Sequence, residues 1–246
     1  MGLYNNRIVV KVGTSTLTND AGKSDLRTTD RLACVLSDIQ NMGYEVVLVS
    51  SGAIAVGRNK LNMTAKPDSM RMKQAAAAVG QCSLMYLYDK FFGDYDKTVA
   101  QILLNADDIE EEEKKENLIN TFNALLEMGV IPIVNENDPV SYKEIESEDR
   151  LFGDNDMLSA VVAVLCRAKH LVIFSDIDGF YDHDPRLYPN AQLIDQIDTI
   201  DDSVYALAGG AGSRRGTGGM RTKLQAASLA TSQGTNTIVT NGKRPE

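Results

Sequence analysis

Two lysines in this sequence occupy positions where an anion would account for them. In VVKVGTSTLT, residues 9 to 18, Lys11 ends a β-branched run and is followed by Gly13, Thr14 and Ser15, whose backbone N–H groups can approach a phosphate closely. In RGTGGMRTKLQAA, residues 215 to 227, three glycines and two threonines lead into a helical pattern that carries Lys223, so free amides and a cation converge at a helix start. Each has a plainer reading: Lys11 can snorkel to the surface from a strand end, and the glycines can make a flexible loop. Neither segment is a Walker A motif, because GxxxxGK[ST] is absent.

Acidic and amide side chains cluster in two further strings. VNENDP at 134 to 139 and FGDNDMLSA at 152 to 160 present Asn135, Asp138, Asp154, Asn155 and Asp156. Such groups suit an ammonium-bearing ligand or a pair of lysines that must be held in place, and they equally suit N-caps and turns. VSSGAIAVG at 49 to 57 adds Ser51 and Gly52 at a strand-to-helix junction, where a helix N-terminus can receive a carboxylate.

The elements that must position these strings follow from periodicity. Short Val- and Ile-rich runs bounded by Gly, Pro or Asn predict buried parallel strands over 8–12, 46–50, 130–135, 171–175 and 237–240. Between them, Leu32, Val35, Leu36 and Ile39, then Leu118, Phe122, Leu125 and Leu126, then Leu158, Val161, Val162 and Leu165, carry helical spacing. Gly43 and Gly129 fall between a helical pattern and a strand, as left-handed C-caps do. The alternation predicts an α/β sandwich, whose ligands bind beyond the carboxyl ends of the strands. Four of the five strands end there in KVGTST, SSGA, NENDP and SDIDG. The acidic run Glu110 to Glu113 reads as a solvated helix start.

Composition removes several function classes. The 246 residues are 43% hydrophobic, enough for a sizeable core, and the net charge of -9 with no basic run opposes nucleic-acid binding. Cys34, Cys82 and Cys166 have no disulfide or metal-ligand spacing and are expected as ordinary buried thiols. Two histidines give little material for a zinc site or a Ser-His-Asp triad. With neither a signal-peptide core nor an apolar run near the roughly 20 residues of a membrane span, the expectation is a cytoplasmic protein without membrane partners.

In order and spacing, VKVGTS, VSSGAIAVG, NENDPV, FGDNDMLSA, SDIDGFYDHDPR and GTGGMRTKLQAA resemble the amino acid kinase family over nearly the whole chain. Within that family the set is similar to members that phosphorylate the γ-carboxylate of L-glutamate. The resemblance implies a three-layer αβα sandwich around a mostly parallel sheet, as one domain over 1–246. An acceptor lobe would span about 1–165 and a nucleotide lobe 166–246. It also implies transfer from ATP, with Mg²⁺, to L-glutamate, the first step towards proline, in a homo-oligomer open to feedback by L-proline.

Carried over by position, the resemblance gives Lys11 and Lys223 the phosphates and makes Asp156 the residue that holds both lysines. Gly13, Ser175, Asp176, Thr217, Gly218, Gly219, Met220, Arg221 and Thr222 would line the ATP site with them. Ser51, Gly52, Asn135, Asp138 and Asn155 would bind glutamate. The chain departs from the family pattern in stopping at NGKRPE, where members run on through a further helix and strand, so a truncated or unusually short nucleotide lobe is expected; it also lacks the PUA domain of many relatives. SYKEIESEDRL, between the two acidic strings, is longer than the pattern and leaves regulation open. Acetylglutamate, uridylate, carbamate and isopentenyl phosphate kinases share the nucleotide lobe, and the NEND and FGDND pair is what favours glutamate. A non-catalytic sensor with this fold would not need both lysines. A dinucleotide oxidoreductase is set aside because no GxGxxG opens a helix after the first strand.

Overall fold

The computed structural model describes residues 4–19, 23–140, 155–208 and 219–246. In chain order the elements are β1 (Tyr4–Val12), α1 (Thr14–Leu17), α2 (Leu26–Asn41), β2 (Glu45–Ser50), α3 (Ala53–Lys60), α4 (Met70–Gly93) and β3 (Val99–Leu104). There follow α5 (Asp107–Glu110), α6 (Glu112–Glu127), β4 (Ile131–Glu136), α7 (Asn155–Leu165), β5 (Ala168–Ser175), α8 (Asp202–Leu207), α9 (Met220–Ser232) and β6 (Asn236–Asn241). One six-stranded sheet has the order β3-β4-β2-β1-β5-β6, and every neighbouring pair is parallel. All the carboxyl ends therefore share one edge, where the four loops singled out from the sequence emerge.

Strand alternation divides the sheet between two cores. Val9, Val47, Val49, Val134, Leu171 and Ile173 face α6, α7 and α9. Val10, Val12, Val46, Leu48, Ile131, Ile133 and Phe174 face α1 to α4. This is the expected αβα sandwich. The five strands read from the sequence are present, four of them longer than expected and β4 shifted by one residue from 130–135 to Ile131–Glu136, and β3 is an additional edge strand. Gly43 and Gly129 end α2 and α6 as expected, with φ of +92° and +71°, and the Asp25 side chain, not singled out from the sequence, accepts from Thr28 N at 3.1 Å to start α2. The acidic run spans the end of α5 and the start of α6, where Lys114 and Lys115 pair with Glu111 and Glu112.

At the edge opposite the loops, Arg7 is buried and ties β1 to β2, to α6 and to the turn between α7 and β5. Its Nε meets Glu45 at 2.7 Å, and its Nη1 donates to Asn123 Oδ1 at 3.1 Å and to the Cys166 carbonyl at 2.8 Å. The cysteines correct the sequence expectation: only Cys166 is buried, with its thiol pushed up to about 12 chiefly by burial, while Cys34 is half-buried and Cys82 exposed.

Helices α3 and α4 cross at backbone contact. A Cβ on Gly57 would overlap the carbonyl oxygen of Ala76, and one on Gly80 would overlap that of Ala53. Because the obstruction is backbone, the helices would have to separate. Gly57→Ala should therefore destabilise by about 1–3 kcal/mol. Gly93→Ala, where an added Cβ meets nothing within 4 Å, should be neutral or slightly stabilising. Paired thermal melts decide this, and equal midpoints for the two variants would refute the close crossing.

Candidate active site

In β1, Val10 and Val12 point to one core and Val9 to the other, so Lys11 lies on the face covered by α7 and α9. There it meets Asp156 in the first turn of α7. Lys11 Nζ is 2.6 Å from Asp156 Oδ1, and Lys223 Nζ, from the first turn of α9, is 2.9 Å from Oδ2. Thr222 Oγ1 also donates to Oδ2 at 2.9 Å. Asp156 is fully buried, and the lysines are 5% and 8% exposed. Burial opposes ionisation of this carboxyl, but the two ammonium groups and their hydrogen bonds outweigh it and hold Asp156 below the usual carboxylate range. Two positive charges thus share one negative charge, leaving an excess of cation at the strand ends.

Asn155 opens a second constellation on the other face of the sheet. Its Nδ2 donates to the Ser50 carbonyl at 2.5 Å and to Asn135 Oδ1 at 2.9 Å, and Asn135 Nδ2 donates to Gln81 Oε1 at 2.9 Å. Ser50 Oγ shares a 2.7 Å hydrogen bond with the buried Tyr88 hydroxyl. Ser51 N donates to the Val12 carbonyl at 3.1 Å, and Gly52, at φ +95°, caps α3 against Thr14, so the first two loops are fixed side by side. Asp138 lies in the turn after β4, half-buried, with no hydrogen bond or ion pair among the described residues. Burial pushes its carboxyl up to about 6.

The remaining candidates flank the lysines. Gly13 precedes α1, and a Cβ there would come 3.4 Å from Lys11 Nζ. Ser175 and Asp176 end β5, with Ser175 Oγ 3.4 Å from Asp176 Oδ1 and Asp176 Oδ2 3.8 Å from Arg186 Nη1. Gly219 caps α9 with no side-chain bond, and Met220 and Arg221 form its first turn, the Arg221 guanidinium lying 5.5 Å over the Tyr205 ring. Thr217, Gly218 and Asp154, like SYKEIESEDRL, lie outside the described residues.

Sequence reasoning passed over Gly242, which packs where a Cβ would meet Thr16 Oγ1 at 2.6 Å and brings the turn after β6 against the Lys11 loop. It also passed over Gln81 and Tyr88, which sit in an alanine-rich helix whose sequence carries no polar signature.

Residues 6–241 match the model of the amino acid kinase family. This chain belongs to the amino acid kinase family. The glutamate 5-kinase of Clostridium perfringens (strain 13 / Type A) is 56% identical over 240 residues, covering 98% of this chain and 89% of that relative. The glutamate 5-kinase of Listeria innocua serovar 6a is 51% identical over 239 residues, covering 97% and 86% respectively. The isopentenyl phosphate kinase of T. acidophilum, solved as a product complex, superposes with a TM-score of 0.66 at 18% identity, covering 98% of this chain and 93% of that one. That likeness shows the shared fold. Among the described residues of this family member, no helix is long and apolar enough to cross a membrane.

Proposed function

We propose that this chain transfers the γ-phosphoryl group of ATP to the γ-carboxylate of L-glutamate, giving L-glutamyl 5-phosphate and ADP. The observation that carries the reading is the buried Lys11–Asp156–Lys223 cluster at the carboxyl ends of the strands. The substrate follows from the similarity to glutamate 5-kinases over nearly the whole chain. An acceptor carboxylate with a reference pKa of about 4.3 is already ionised at pH 7 and needs no general base. One of its oxygens bonds to the γ-phosphorus as the bond to the β-phosphate oxygen breaks and ADP leaves. The difficulty is bringing anion to anion. Lys11 and Lys223 lower that barrier by sitting on the transferring group, and Asp156 holds both in position.

The uncapped first turn of α9, together with Gly13, Ser175, Asp176 and the 217–223 segment, receives the nucleotide in this reading. Mg²⁺ comes with ATP as part of the substrate. Ser51, Gly52, Asn135, Asp138 and Asn155 receive glutamate. Residues up to about 165 form the acceptor lobe and the rest the nucleotide lobe. Homo-oligomerisation and inhibition by L-proline belong to the same reading and rest on the resemblance of the acceptor motifs.

The test is ADP release from Mg-ATP with L-glutamate, N-acetylglutamate, L-aspartate or UMP, with hydroxylamine present to trap an acyl phosphate. Glutamate-dependent turnover with hydroxamate is the expected result. Turnover on another acceptor, or on none, overturns the assignment.

Asp138 gives this reading a pH signature. Its raised pKa means that the free protein holds the proton up to about pH 6, whereas a substrate ammonium favours the carboxylate. Binding then releases a proton, and affinity weakens as pH falls. KM for L-glutamate should rise about tenfold between pH 7.5 and pH 5. Asp138→Asn should have a high KM with a flat profile. A flat wild-type profile would remove Asp138 from ammonium recognition.

A further inference from the structure

We propose that Gln81, on α4, is a positioning residue that makes the acceptor site read an ammonium group, acting through Asn135 and Asn155. The inference rests on the amino-acid acceptor proposed above. The chain of amides from Gln81 to the Ser50 carbonyl has an acceptor at each end. A backbone carbonyl can only accept, so Asn155 must turn its NH₂ towards Ser50, and the 2.5 Å contact fixes that orientation. The same NH₂ spends its second hydrogen on Asn135 Oδ1. Asn135 must therefore turn its own NH₂ the other way, where Gln81 Oε1 accepts it at 2.9 Å.

With both hydrogens used, Asn155 has only its carbonyl oxygen left to offer a ligand. Asp138, in the turn after β4, also offers only acceptor oxygens when ionised. Two acceptors of this kind suit a group with several N–H bonds and a positive charge, and they oppose an acylated nitrogen, which keeps one N–H and brings a carbonyl of its own. Gln81 is 8% exposed and is presented by the α4 stripe that includes Leu84 and Tyr88, at i+3 and i+7. Tyr88 anchors Ser50, the other end of the chain of amides, through its side chain. One helix face thus fixes both ends of the arrangement. Removing the Gln81 acceptor frees Asn135 to rotate, and Asn155 loses one of the two contacts that orient it.

The experiment compares wild type, Gln81→Met, Gln81→Leu and Gln81→Glu for kcat and KM on L-glutamate and ATP, and for selectivity between L-glutamate and N-acetylglutamate. Thermal melts identify the folded variants. In Gln81→Met, KM for glutamate should rise about tenfold, the loss of one buried hydrogen-bond constraint. Its kcat should stay within about twofold and its KM for ATP should not move, while its preference for glutamate over N-acetylglutamate falls. Gln81→Leu should behave alike. Gln81→Glu keeps an acceptor and should retain wild-type selectivity.

A folded Met or Leu variant with wild-type KM and selectivity overturns the proposal. So does a uniform loss of kcat with both KM values shifted, or failure of both to fold, since either marks a purely structural residue. A wild type inactive on glutamate but active on another acceptor overturns the parent reading instead, and this one with it.

Discussion

Lys11→Ala is expected to lower kcat by about 10²–10³-fold, the usual cost of removing one positioned donor from a developing charge, with KM for L-glutamate changed far less. The separation follows from placement. Lys11 faces the α7 and α9 side of the sheet with Asp156, whereas the amides of Asn135 and Asn155 meet Gln81 on the α4 side. The variant should fold, because Asp156 keeps Lys223 at 2.9 Å and Thr222 beside it. Steady-state kinetics with each substrate varied decide the matter. A folded Lys11→Ala protein with unchanged turnover would end the phosphate role.

Asp156→Asn should have the largest effect on stability. It leaves two buried ammonium groups facing a neutral amide, and breaking a buried charge arrangement in this way costs about 3–5 kcal/mol. Its pH dependence has a definite sign. The folded carboxyl is held below its ordinary value, so its contribution is present above that value and is lost as pH falls through the lower folded one. The stability gap between wild type and Asp156→Asn should therefore be full at neutral pH and close in acid, below about pH 4. In the proposed role of the lysines, Mg-ATP would supply the anion that Asp156→Asn lacks, so it should raise the melting temperature of Asp156→Asn more than that of wild type. Equal stability of the two proteins at pH 7 would show that the lysines are not held by this carboxylate.

The sequence made the sheet legible where burial is complete. Val9, Val10, Val46 to Val49 and Leu171 to Phe174 belong to strands buried on both faces, and continuous apolar runs mark such strands. It missed β3, at one edge of the sheet, where Gln101 is exposed and Ala100 and Leu103 are half-covered, so VAQILL has weak alternation. The equally open edge strand β6 stood out through its β-branched run from Thr237 to Thr240. Helix α4 was missed for a different reason. Its buried stripe runs through Ala76, Ala77, Gly80 and Gln81, and small residues on every side hide the periodicity that a helix of 24 residues would otherwise show.

The same blindness extended to the site. Lys11, Asp156 and Lys223 stand in glycine- or Asp-rich strings that advertise a ligand loop. Gln81 and Tyr88 act from within that helix, which the close crossing of α3 and α4 at Gly57 and Gly80 and its packing on the sheet hold in place.

The strand order has a consequence for the order of assembly during synthesis. β1 is made first yet lies inside the sheet, between β2, which follows within 50 residues, and β5, which begins at Ala168. On a ribosome the β3-β4-β2-β1 half can pair as soon as Glu136 has emerged, with one side of β1 left open. Lys11 then waits beside that open side for Asp156 and, last, for Lys223 from the penultimate element. A chain halted before α9 would expose the apolar face of α7 that Ala226 and Ala230 cover, together with a carboxylate holding only one of its two lysines. The lysine pair forms only when α9 has joined the sheet, and nascent chains arrested between residues 175 and 219 should depend more on chaperones than those that have added α9 and β6.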